Sequence, residues 1–294
     1  MPTAREGRAA AAWLGASILI GSLSFTLIKG LLEDLSPLTL SAGRVVFSAV
    51  CFAAVVTAQP GRREPIRRED RALVWFVGLA GSAGFHICFT WGQQRASVAA
   101  ATIVMATMPA LAATGEALFL RHRPTARTGA GLLVSLLGVV VITRTGAASG
   151  AGTSLAGIGA LGGASLAWAS VTVAQRRLAG RYDPWWLNTP GTLVGALLMA
   201  VLAAPRVGEL GGLGPLQWWW LFWLGAVSSA FIYAATTIAM RTLPATMVAS
   251  SGTLVTPIAI LVAWAHLGER PSPGGVVGAV LVVVGVVLVG ASSR

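Results

Sequence analysis

The sequence predicts an all-α, polytopic membrane protein with ten transmembrane helices arranged as two inverted five-helix repeats. Three observations carry that expectation. Of 294 residues, 55% are hydrophobic and 11% are charged, against roughly 25% charged in an ordinary soluble domain. The apolar residues gather into ten long stretches, and the chain resembles itself when shifted by half its length. A soluble globular enzyme is excluded by the first of these alone.

A helix needs about 20 apolar residues to cross a bilayer core, and only helices or closed barrels satisfy their backbone there. Spans are expected at 9–28, 37–58, 72–91, 97–120, 127–143, 155–175, 184–204, 217–240, 244–267 and 274–291. These runs are too long for strands. The first reads as an uncleaved span rather than a secretory signal, because it is long, lacks a small-residue cleavage site and precedes nine more. The fifth and tenth are the shortest and are rich in Gly and Val, which predicts tight packing through small residues. No connection is long enough to hold a soluble domain.

Formal charge is +11, from 21 basic and 10 acidic residues. The basic residues sit in short gaps between apolar stretches rather than in one stripe, which argues against a nucleic-acid partner and for an anionic lipid surface. With the N-terminus inside, the cytoplasmic segments carry fifteen of them and the opposite face five: Lys29, Arg95, Arg144, Arg206 and Arg270. Both termini are therefore expected in the cytoplasm, in the inner (cytoplasmic) membrane. Cys51 and Cys88 both lie inside apolar stretches, where free cysteine packs as a small hydrophobe.

A shift of 147 residues sets Gly21–Lys29 on Trp168–Arg176, Pro37 on Pro184, and Gly131 and Gly138 on Gly278 and Gly285. Pro109 needs one residue more to meet Pro257. The expected units are 1–147 and 148–294. Five spans is an odd number, so the second unit enters the membrane from the other side. Inverted repeats around a midplane site are the architecture of many secondary transporters.

Several of these segments resemble the EamA repeat of the drug/metabolite transporter superfamily. They are Leu243-Pro244-Ala245-Thr246, Pro257, Leu267-Gly268-Glu269-Arg270, and Gly278 with Gly285. The first half repeats the pattern more loosely through Ser97, Pro109, Gly131 and Gly138. One departure stands out: near the place of the usual Glu at the end of the fourth helix the chain has Arg121 or His122, depending on where a gap falls. The resemblance implies ten helices, a cavity lined mainly by helices 1, 3, 4, 6, 8 and 9, and export or exchange of small metabolites.

Ionisable residues inside spans are costly and are functional candidates by default. Glu116 lies seven residues beyond Pro109 and so on nearly the same helix face. It either serves proton or substrate coupling or reaches the cytoplasmic surface. His86 shares a face with Gly78, Ser82 and Thr90, as a proton relay, a substrate ligand or an interhelical hydrogen-bond partner. Arg44, on one face with Ser41 and Ser48, either binds an anionic solute or snorkels to the outer surface. Trp168 and Tyr233 fall in the sixth and eighth spans and offer ring faces to an apolar or cationic solute, or they simply pack. Pro109 and Pro257 each free a backbone carbonyl, and as paired breaks they are candidate gates.

The run Gly157–Gly162 fits G-x-G-x-x-G but lies within an apolar span, where helix packing explains it better than a dinucleotide loop. No Walker loop, nucleophile elbow or metal-spaced Cys/His set appears in the sequence. The expected activity is therefore secondary transport of a small organic metabolite or drug-like solute by alternating access, with no cofactor, no metal and no catalytic residue. The partners are the solute and membrane lipids, and the chain acts as a monomer or homodimer. The competing class is a membrane-embedded enzyme acting on a lipid or another membrane-soluble substrate.

Overall fold

The computed structural model describes residues 4–59, 61, 63–119, 126–145, 148–149, 152–178, 180–239 and 252–291. Over these the chain is an all-α, multi-helix membrane protein. Seven helical stretches are long and apolar enough to cross a bilayer, and three shorter apolar helices accompany them. Outward-facing Leu133, Leu137, Leu197, Val201, Val280 and Val287 are each more than half exposed, as lipid-facing side chains are. Mean hydropathy is +0.75.

Helix α1 runs over Ala4–Leu31 and α2 over Pro37–Ala58. The third expected span is broken: α3 (Arg71–Leu79) passes through a π-helical segment, Ala80–Gly84, into α4 (Phe85–Gln94). The fourth is α5 (Val98–Met105) and α6 (Met108–Phe119), separated at Ala106-Thr107. Then follow α7 (Ala126–Thr145), α8 (Leu155–Leu178) and α9 (Pro184–Ala203), with a 3-10 turn over Ala204–Gly212. The eighth span is α10 (Pro215–Phe222), a second π-helical segment, Trp223–Ala230, and α11 (Phe231–Ala239). Much of the expected ninth span lies outside the described residues, which resume with a 3-10 turn, Gly252–Leu254, leading into α12 (Val255–Leu267) and α13 (Pro273–Ala291).

Local chemistry explains the ends. Ser36 caps α2 by accepting from the Thr39 amide, and Asp183, 147 residues on, caps α9 by accepting from Trp185 and Trp186. Each cap precedes a proline at the first helical position, where the missing N–H costs nothing. Ser97 caps α5 through the Ala100 amide, 3.1 Å away. α12 stops at Gly268, whose φ of 68° is left-handed and suits glycine.

Close helix contacts come in exchanged pairs. A Cβ on Gly138 would meet the Gly278 carbonyl at 2.7 Å, and one on Gly285 would collide with Gly131 and Ser135. α7 and α13 thus interlock through glycines that the 147-residue shift makes equivalent, each pairing with the counterpart of the other. The same exchange holds for Gly78 on α3 against Gly191 on α9, and for Gly225 against Arg44 on α2. Shifting Gly78 by 147 gives Gly225, and shifting Arg44 gives Gly191. Small residues let membrane helices approach this closely where lipid supplies no hydrophobic drive. The loops join across the halves as well. Glu209 accepts from the Ser36 amide at 2.8 Å, while Asp70 accepts from the Tyr182 hydroxyl at 2.7 Å and from Arg181 at 3.0 Å.

Candidate functional site

A cavity of about 180 Å³ lies between the halves. Its walls come from α1, α2, α4, α5, α6, α8, α11, α12 and the second π-helical segment. Among the residues singled out from sequence, Arg44, His86, Pro109, Trp168 and Tyr233 all line it.

The π segments shape this space. A π turn inserts one extra residue and shifts the carbonyls that a regular helix would engage, which is why such turns gather at functional sites. The Tyr233 hydroxyl donates to the Gly81 carbonyl inside the first π segment. Ser229 donates to the Leu224 carbonyl, 2.9 Å away, inside the second. His86 and Tyr233, equivalent under the 147-residue shift, each follow a π segment by a few residues, so the same irregularity presents both.

Arg44 is 3% exposed. Its Nη2 donates to the Ser229 hydroxyl at 3.4 Å, and its Nε and Nη1 have no hydrogen-bond partner. Snorkelling to the outer surface is thus overturned: α2 is pinned against Gly225, and the guanidinium turns inward. Its carbon sits 6.0 Å from the centre of the Phe89 ring. His86 is 2% exposed with Nδ1 unpartnered, and the Ser41 hydroxyl donates to its carbonyl at 3.0 Å.

Aromatic rings form one wall. Trp168 lies 4.8 Å from Tyr233 and 4.9 Å from Phe85 between ring centres, and Phe85 stacks on Phe89 at 5.2 Å. Offset and edge contacts at this spacing stiffen a wall beyond the area they bury. The hydroxyls of Ser24 and Ser228 pair across the cavity at 2.7 Å.

The two prolines differ. Pro109 borders the cavity beside the Ala106-Thr107 break, whereas Pro257 stands exposed in the first turn of α12 and its neighbour Thr256 lines the cavity instead. Thr256 donates to the Thr102 carbonyl at 3.2 Å. Glu116 is on α6, and its side chain lies outside the described residues. The glycine run 157–162 is helical; Gly157 packs against the Arg95 backbone, while Gly159 and Gly162 have nothing within 4 Å of an added Cβ. Cys51 and Cys88 are half-buried free thiols.

A polar cluster caps the cavity beyond Phe25 and Phe89, and sequence reading missed it. Lys29 Nζ donates to the carbonyls of Gln93 at 3.0 Å and Ala96 at 2.9 Å, and Gln93 Nε2 donates to the Phe25 carbonyl at 3.3 Å. Glu269 accepts from the Val98 amide at 2.8 Å, at the start of α5. Burial pushes the Glu269 carboxyl above its ordinary value, while the Val98 amide and the Lys29 charge pull the other way. Lysine at a span end reads as interfacial, and its backbone acceptors leave no mark in the sequence.

A bundle of membrane-crossing helices around one central, largely apolar cavity with a few inward polar groups is the architecture of a solute carrier. The chain belongs to the EamA-like transporter family, which it matches over residues 8–144 and again over 155–291. It is thus a membrane transporter of small organic solutes, and not an enzyme. Over 274 residues it is 26% identical to a "Probable terminal-alkyne amino-acid exporter" of Streptantibioticus cattleyicolor, covering 93% of this chain and 90% of that one. It is 27% identical to an uncharacterized transporter of Archaeoglobus fulgidus over 68% of this chain and 69% of that protein. The uncharacterized transporter YdfC of Bacillus subtilis is 25% identical over 92% and 88% of the two chains. A crystal structure with 22% identity superposes with a TM-score of 0.65, covering 96% of each chain, and shares the fold. Among the described residues no group of His, Cys, Asp and Glu is placed to hold a metal ion.

Proposed function

We propose that the chain is a secondary transporter of ten spans, built from inverted units 1–147 and 148–294, that carries its solute through the central cavity by alternating access. The exchanged helix contacts are the observation that carries this reading. When residue i of one unit touches the equivalent of j in the other, and j touches the equivalent of i, the two units are related by a twofold operation. With five spans per unit, that axis lies in the membrane plane, and the cavity lies between the units as such carriers require. The excess of Arg on one side supports cytoplasmic termini and residence in the cytoplasmic membrane. The name of the Streptantibioticus relative supports export or exchange. Glu116 and His86 are the groups assigned to proton coupling, Trp168, Tyr233, His86 and Arg44 to solute contact, and Pro109 and Pro257 to gating.

Purified protein in liposomes is expected to give saturable flux with counterflow, accelerated by solute on the far side. Linear, non-saturating flux without counterflow overturns alternating access. Glu116→Gln is expected to flatten the pH dependence of flux. An unchanged pH profile at full rate removes Glu116 from the coupling.

A further inference from the structure

We infer that the cavity selects an organic monoanion, a carboxylate on an apolar or aromatic body, and that Arg44 is the residue that binds it. The inference rests on the reading of the cavity as the transport site.

Arg44 carries a permanent charge and five donors in a planar fork. Leaving such a group buried with two nitrogens unpartnered is strongly unfavourable, and the protein holds it there with one long bond to Ser229. Of the chain's ten acids, only Glu6 and Glu116 have side chains outside the described set, and none of the other eight lines the cavity. An anion entering from solution supplies what the described protein withholds. The fork accepts a carboxylate through two parallel bonds. His86 Nδ1, buried and unpartnered in the same wall, can take up a further lone pair.

Charge number decides between anions. A single guanidinium matches one negative charge, and no second Lys or Arg side chain accompanies it among the described lining residues. A dianionic phosphate would bury one charge uncompensated. The remaining wall, Phe85, Phe89, Trp168, Met105 and Ile232, receives an apolar body. No described acid waits for an ammonium group, so the carboxylate, rather than a zwitterion, is the recognised feature.

The test uses 3-phenylpropionate, 3-phenylpropionamide and 3-phenylpropylamine on the full chain, by calorimetric titration in detergent and by counterflow in liposomes. The carboxylate is expected to bind at least about 30-fold tighter than the amide, the lower range for losing one partner of a buried charge pair. Arg44→Met is expected to erase that preference without lowering the unfolding temperature, since it removes a buried charge. Arg44→Lys is expected to retain part of it, and Gly159→Ala, whose added Cβ meets nothing within 4 Å, to leave it unchanged.

Amide or amine binding as tight as the carboxylate, no binding of any of the three, or undiminished carboxylate binding by Arg44→Met overturns the inference. Loss of the preference in Gly159→Ala does so too. Carboxylate binding without counterflow leaves the anion site standing and overturns the transport reading instead. Counterflow of the amide alone does the reverse.

Discussion

Gly78→Ala tests whether the backbone contact between α3 and α9 sets the helix spacing. A Cβ at Gly78 would lie 2.5 Å from the Gly191 carbonyl carbon and 3.1 Å from its nitrogen, where nonbonded carbon atoms prefer about 3.5–4.0 Å. The obstacle is backbone on both sides, so no side chain can rotate away, and the helices must part by about 1 Å. Overpacking of this kind costs about 1–3 kcal/mol, against a gain of about 0.5–1 kcal/mol from replacing helical glycine. A net loss of about 1 kcal/mol corresponds to an unfolding midpoint lower by about 2–4 °C. The half-buried thiols of Cys51 and Cys88 make a thiol-reactive dye a suitable reporter of thermal unfolding in detergent. Gly225→Ala, the exchanged contact, would place its Cβ 2.6 Å from the Arg44 carbonyl oxygen and is expected to fall by a similar amount. Gly159→Ala, with nothing within 4 Å, is the control and should hold or rise. A Gly78→Ala midpoint equal to wild type, or an equal loss in Gly159→Ala, refutes the argument.

Two further outcomes follow from the cavity and its cap. Burial holds the Glu269 carboxyl above its ordinary value of 4.5, so the fold binds that proton more tightly than the unfolded chain does. The stability tied to it is complete below the unfolded value and is lost as pH rises through the folded one. The wild-type midpoint should therefore fall relative to that of Glu269→Gln from about pH 4.5 upward. A wild-type midpoint that rises relative to the variant with pH contradicts the assignment. Trp168→Ala removes ring contacts to Phe85 and Tyr233 of about 0.5–1.5 kcal/mol each, and it should raise the half-saturating solute concentration by about tenfold with the maximal rate largely kept. An unchanged half-saturation would show that the solute does not lean on this wall.

Much of this architecture was legible in the residues. The long apolar stretches and the tight small-residue packing of α7 and α13 follow from apolar length and glycine spacing, whereas the meeting of Arg44, His86, Trp168 and Tyr233 at one cavity does not, since each also fits packing or an interface. The two π segments were not, because one extra residue per turn leaves composition and hydropathy unchanged. Pro109 pointed to a break, but the helix parts at Ala106-Thr107, upstream of it. A proline ring clashes with the carbonyl four residues earlier, here that of Met105, so the disturbance falls before the proline. Pro257, in the first turn of its helix, meets no such carbonyl within α12. For Arg44 the helical face was readable and the direction was not, since a lone arginine near a span end reaches water as easily as it enters a core. The absence of a side chain on Gly225, in another span, lets α2 come close enough to turn the guanidinium inward.

The repeat also exposes where the two halves part company. Moving Lys29 by 147 residues gives Arg176, so both ends of the molecule place a cation at a corresponding point. The acid does not follow: Glu269, which caps α5 and stands near Lys29, has Arg121 or His122 as its counterpart, both outside the described residues. One end therefore holds a cation and a buried carboxylate, and where that carboxylate stands the other half's sequence has Arg121 or His122. A twofold carrier with identical ends would close equally well on either side. The two ends are thus chemically unequal at this one place in the repeat, and an inequality of 1.4 kcal/mol between two states already shifts their equilibrium tenfold.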